Sequence, residues 1–184
     1  MAVSLRINRI AMLAALCAVA ASAADQPGTV SGTLVVNGTT VPVRHITAVT
    51  YDTPSPGRLV SVLVSDTRVD PKVFQEYTRI GPGEKVVAGL VTGAWVTMHA
   101  EDKALSGFSF TLDRDNRAVL NDVLVGATRE DNFGILDDYL VVEVKTRSPR
   151  LVGRIRTKDP MLELNTEKVG LDLTFDVPVA ELGQ

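Results

Sequence analysis

The feature that most constrains this chain is a hydrophobic period of two that recurs along most of its length. Leu171, Leu173, Phe175 and Val177 alternate with Asp172, Thr174 and Asp176. Leu140, Val142 and Val144 alternate with Val141, Glu143 and Lys145, and Phe108, Phe110 and Leu112 with Ser109, Thr111 and Asp113. Successive side chains of an extended strand point to opposite faces. Each run therefore puts one row on a core and the other in water, as in antiparallel sheets, and not the 3.6-residue stripe of a helix.

The turn chemistry agrees. Residues 30–36 and 39–50 flank Asn37-Gly38, a dipeptide that tolerates φ > 0 at both central positions of a type I′ hairpin turn. Asp113-Arg114-Asp115-Asn116 reads as a second hairpin turn, and Ser148-Pro149 separates strands at 139–146 and 151–157. Two prolines make 52–57 a loop, and Gly81-Pro82-Gly83 is another break. Further strands are predicted at 59–65, 86–91, 94–100 and 118–125. One short helix is predicted from Asp70, a capping residue, through Pro71 at the first helical position to about Thr78, lying as a plug across one end of the sheets. The total is about nine or ten strands with turns every eight to twelve residues. This predicts an all-β fold, an antiparallel β-sandwich with one short helix; closure into a barrel is the alternative. The uneven strand lengths and the prolyl loop favour the sandwich.

The N-terminus reads differently. Arg6 and Arg9 precede an apolar run from Ile10 to Ala20, and Ala21-Ser22-Ala23 supplies small residues for a signal peptidase. The run is shorter than the roughly twenty residues a spanning helix needs. The expectation is a signal peptide over 1–23, with cleavage after Ala23 or else Ala24, and one β-sandwich domain over 24–184. An uncleaved anchor is the competing reading. Cys17 follows the bulky Leu16 in mid-run, which does not fit a lipidation site. Localisation is then periplasmic or secreted, with no integral membrane segment after cleavage.

Removal of the leader takes away the only cysteine. It also leaves 17 Lys and Arg against 22 Asp and Glu, so the net charge moves from −3 to −5. A mildly acidic domain with scattered cations is a poor partner for nucleic acid or anionic lipid. Without cysteine, disulfides, thiolate metal sites and a Cys nucleophile are excluded. Two histidines, His45 and His99, bound any His-based metal site or triad.

His45 is predicted to share a strand face with Val41, Val43 and Val49, where it would serve as a general base of depressed pKa or as a hydrogen-bonded core histidine. Trp95 and His99 alternate away from the apolar row Val96, Met98 and Ala100, which would leave them outward. The indole is the only one in the chain and is suited to a binding hot spot. The competing reading packs Trp95 under a loop or the second sheet. Asp131, Asp137, Asp138 and Glu143 could furnish a glycosidase pair, but strand faces and loops of any soluble domain carry such residues. The Asp113 turn fails as an EF-hand, because its sixth and twelfth places hold Ala118 and Leu124. No G-x-S-x-G elbow, P-loop or dinucleotide fingerprint is present.

Gly32-Thr33-Leu34-Val35-Val36-Asn37-Gly38, leading to His45-Ile46-Thr47-Ala48, and Val152-Gly153-Arg154-Ile155-Arg156-Thr157, preceding Leu173-Thr174-Phe175-Asp176-Val177-Pro178, resemble segments of a loose set of exported bacterial β-sandwich proteins. The resemblance covers most of the mature chain and implies fold and compartment, with no named activity and no catalytic residue. The expected function is a non-enzymatic binding or interaction domain. Its contacts are placed at Trp95, His99 and His45 and at the loop 52–58, without cofactor, metal or catalytic residue. Its partner is an envelope protein, a peptide or a small apolar ligand, and the oligomeric state stays open. The alternatives are a carrier of lipid or a small hydrophobic ligand, and a hydrolase with an unrecognised site.

Overall fold

The computed structural model describes residues 26–53, 57–70, 105–126 and 132–182. They contain eleven strands: β1 Thr29–Val36, β2 Thr39–Val41, β3 His45–Asp52, β4 Arg58–Ser65, β5 Gly107–Leu112, β6 Ala118–Leu124, β7 Asn132–Gly134, β8 Leu140–Thr146, β9 Arg150–Thr157, β10 Leu162–Leu164 and β11 Glu167–Glu181. A 3-10 turn at Asp137–Tyr139 precedes β8. The expected leader, the predicted helix at 70–78 beyond Asp70, and the predicted strands at 86–91 and 94–100 lie outside the described residues.

The fold is all-β. One continuous sheet runs β2-β1-β11-β3-β4-β5-β6-β7, with β9 and then β8 added to β11, and it does not close into a barrel. β11 joins its two layers. Its first part lies between β1 and β9, both antiparallel, with Asp172 opposite Thr33 on one side and Arg156 on the other. Its last part, from Val179 to Glu181, runs parallel to Ala48, Val49 and Thr50 of β3. The sheet is therefore mixed, where a wholly antiparallel one was expected. Alternation along one strand fixes its faces but not its neighbour's direction, and β3 and β11 are far apart in the chain. Pro178, which has no N–H to donate, stands where β11 passes from one layer to the other.

The layers face each other across one apolar core. Leu34, Ile155, Leu171, Leu173 and Phe175 from the first layer pack with Val60, Val62, Val64, Phe108 and Phe110 from the second. The Phe110 and Phe175 rings meet with centroids 5.6 Å apart, and Phe108 stacks on Phe110 at 5.8 Å. Each such side chain contributes about 1.5–3 kcal/mol on leaving water.

Turns fall where the residues demand them. Asn37 and Gly38 have φ of 50° and 78°, the pair of positive values a type I′ turn requires. Asp113 closes the β5–β6 hairpin by accepting the amides of Asp115 and Arg117 on Oδ1, at 2.8 and 2.9 Å. The expected single strand over 39–50 is broken: β2 ends at Val41, the chain bends through Pro42, Val43 and Arg44, and β3 begins at His45. Proline cannot donate to the ladder, so pairing stops and resumes in the other layer.

The second layer departs from the expected half-wet pattern. Ser109 and Thr111, expected in water, are buried at 3% and 0% exposure. They lie on a second covered face with Val49, Tyr51, Leu59 and Leu63, to which Val69, Leu105 and Leu182 also belong. Its hydroxyls are largely satisfied: Tyr51 Oη meets Ser61 Oγ at 2.7 Å, and Ser61 Oγ meets Thr111 Oγ1 at 2.8 Å. Burial raises the Tyr51 pKa.

Candidate functional site

Of the residues singled out in the sequence, Trp95 and His99 lie outside the described residues, as do Asp131 and positions 54–56 of the loop 52–58. The described ends of that loop are tied together, with Arg58 bridging to Asp52 at 3.7 Å and to Glu181 at 2.9 Å. His45 opens β3, half-buried and opposite Ser65. It does not share a face with Val41 and Val43, because the break at Pro42 interrupts the alternation. It falls instead in the row of Thr47, Val49 and Tyr51, the second covered face. Among the described residues no hydrogen bond or ion pair reaches its ring. Asp137 and Asp138 are exposed on the 3-10 turn, and Glu143 is exposed on β8. No group of three or more His, Cys, Asp or Glu among the described residues is placed to hold a metal ion.

The first layer presents its outer face to water, and a groove of about 540 Å³ lies on it. The floor is built by alternation. Ile155 and Thr157 of β9 point inward and are buried, which turns Arg154 and Arg156 outward. Thr33 and Val35 of β1, Asp172 of β11 and Glu143 of β8 complete the floor, and Lys158, Pro160 and Met161 form a wall. The wall sits close to β11 because residue 170 is glycine. A Cβ there would meet the Pro160 carbonyl oxygen at 2.6 Å and the Met161 methyl at 3.4 Å.

The charges in the groove are unequally matched. Arg154 grips Asp172 with both arms of its fork, Nε to Oδ1 at 2.8 Å and Nη2 to Oδ2 at 2.6 Å. These hydrogen bonds hold the Asp172 carboxyl below its usual pKa and raise that of Arg154. Arg156 stands directly opposite Asp172 in the ladder, with Val141 on its other side. Both carboxylate oxygens are hydrogen-bonded by Arg154, and Arg156 adds only a weaker electrostatic pull on Asp172; no ion pair among the described residues reaches Arg156 or Lys158. Lys158 also lines a smaller hollow of about 250 Å³ with Asp137 and Asp138.

The groove was not anticipated from the sequence, although Arg154 and Arg156 stand out as cations on one face of a strand. Comparison with family models, with curated proteins and with solved structures finds no match for this chain. No helix among the described residues is long and apolar enough to cross a membrane.

Proposed function

We propose that this chain is an exported, non-enzymatic binding domain whose ligand or partner lies in the groove on the outer face of β1, β11, β9 and β8. The carrying observation is an open concavity on an acidic chain that gathers Arg154, Arg156 and Lys158, of which Arg156 and Lys158 have no ion pair among the described residues. The leader supports export. A surface ligand is favoured over one enclosed between the layers, because Phe108, Phe110 and Phe175 fill the space there. Among the described residues no hydrogen bond joins His45 to a nucleophile, so the hydrolase alternative has no support there.

Native mass spectrometry of the mature protein, purified from the envelope of a producing cell, tests this. Thr33→Trp fills the groove from an exposed position without touching the core. An adduct on the wild type that is lost in the variant supports the reading. Bare polypeptide mass in both, or an adduct retained in the variant, contradicts it.

A further inference from the structure

The groove has two chemically different parts. Arg156 and Lys158 bring positive charge to it. Val35, Pro160 and Met161 give an apolar shelf, with Met161 41% exposed. We propose that the groove takes an amphiphile with an oxyanion head, a carboxylate or a phosphate, seated on Arg156 and Lys158 with its apolar portion along the shelf. This rests on the binding reading above and adds the ligand class.

Three observations favour an anion. Two carboxylates face the groove, Asp172 and Glu143. Asp172 is taken up by Arg154. Glu143 stands opposite Arg154 in the ladder and acts electrostatically on that guanidinium. Arg154, Arg156 and Lys158 against Asp172 and Glu143 leave the groove lining with one positive charge in excess, on a chain whose net charge is −3, although Arg156 also acts on Asp172 and Lys158 has Asp137 and Asp138 beside it in the neighbouring hollow. A guanidinium offers a planar fork suited to a carboxylate or phosphate, and an ammonium adds a point charge beside it. The apolar wall makes an inorganic ion a poorer match than an amphiphile, because only the latter covers the exposed thioether.

Calorimetric titration with octanoate, octyl phosphate, octanol and inorganic phosphate provides the test, using the mature wild type and Arg156→Gln/Lys158→Gln. The wild type is expected to bind octanoate, octyl phosphate or both more tightly than octanol or inorganic phosphate. The two octyl anions tell a carboxylate from a phosphate ligand. The double variant is expected to lose roughly tenfold or more in anion affinity while its weak octanol binding persists. Octanol binding as tightly as the anions, or a double variant that binds them unchanged, overturns the anionic class yet leaves a binding groove in place. Inorganic phosphate matching octyl phosphate overturns the apolar shelf. No binding of either octyl anion overturns the proposal, and the native mass measurement then decides separately whether the groove binds anything.

Discussion

Arg147 and Asn116 lock the two layers together at one end: Nη1 of Arg147, in the β8–β9 turn, donates to Oδ1 of Asn116, in the β5–β6 turn, at 2.6 Å. The same guanidinium donates to the carbonyls of Asp113 and Leu112. Asn116 holds a left-handed conformation, φ 62°, at the end of its turn. Burial lowers the pKa of Arg147. Arg147→Met should cost about 1.5–3 kcal/mol in urea unfolding, the scale of hydrogen bonds from a charged donor. Arg147→Lys should recover only part, since a single ammonium cannot match the fork. A loss within experimental error for both variants would contradict the clamp.

The Phe110–Phe175 contact joins the layers at their centre. Phe110→Ala should destabilise by about 3–5 kcal/mol, through lost burial and the cavity left behind. Chemical denaturation measures this directly. A cost below about 1 kcal/mol, the level of a surface change, would show that the layers do not share this core.

Asp122 offers a pH signature. It lies opposite Ser109 and Gly134, and burial raises its pKa. A carboxyl whose folded pKa exceeds its unfolded value holds its proton more tightly in the folded state. Stability is therefore greatest below the unfolded carboxyl value and declines as pH rises through the folded one. Asp122→Asn should remove this decline. Thermal midpoints of variant and wild type should converge in acid and separate, in favour of the variant, toward neutral pH. A difference that stays constant across that range would exclude the carboxyl as its source.

The Arg154–Asp172 pair sets the charge of the groove. Asp172→Asn frees the Arg154 fork and removes a carboxylate from the floor, so octyl phosphate should bind several-fold more tightly, an effect that shrinks with added salt. Weaker binding in that variant would mean that the pair positions the ligand in place of limiting it.

The sequence carried the elements better than their assembly. Period-two rows marked β5, β8 and the middle of β11, Ser148-Pro149 marked the β8–β9 break, and Asn37-Gly38 marked the β1–β2 turn, because these signals are local. β7 and β10, at three residues each, are too short for alternation to register. The split of β2 from β3 was hidden by apolar residues on both sides of Pro42. The burial of Ser109 and Thr111 depends on hydroxyl partners brought from other strands, which no single run reveals. For the same reason the groove was illegible: its floor joins β1, β8, β9 and β11, from both ends of the chain. The usable signal was Arg154 and Arg156 on one face of β9, with Lys158 just beyond it.

The most direct test of the groove is residue-by-residue mapping of amide shifts as octyl phosphate is added to the protein prepared without residues 1–23. The expected perturbations cluster at Thr33, Val35, Arg154, Arg156, Lys158, Met161, Gly170 and Asp172. Perturbations confined to His45, Trp95 and His99, with those groove amides unmoved, would contradict the assignment and return the binding surface to the residues first singled out in the sequence.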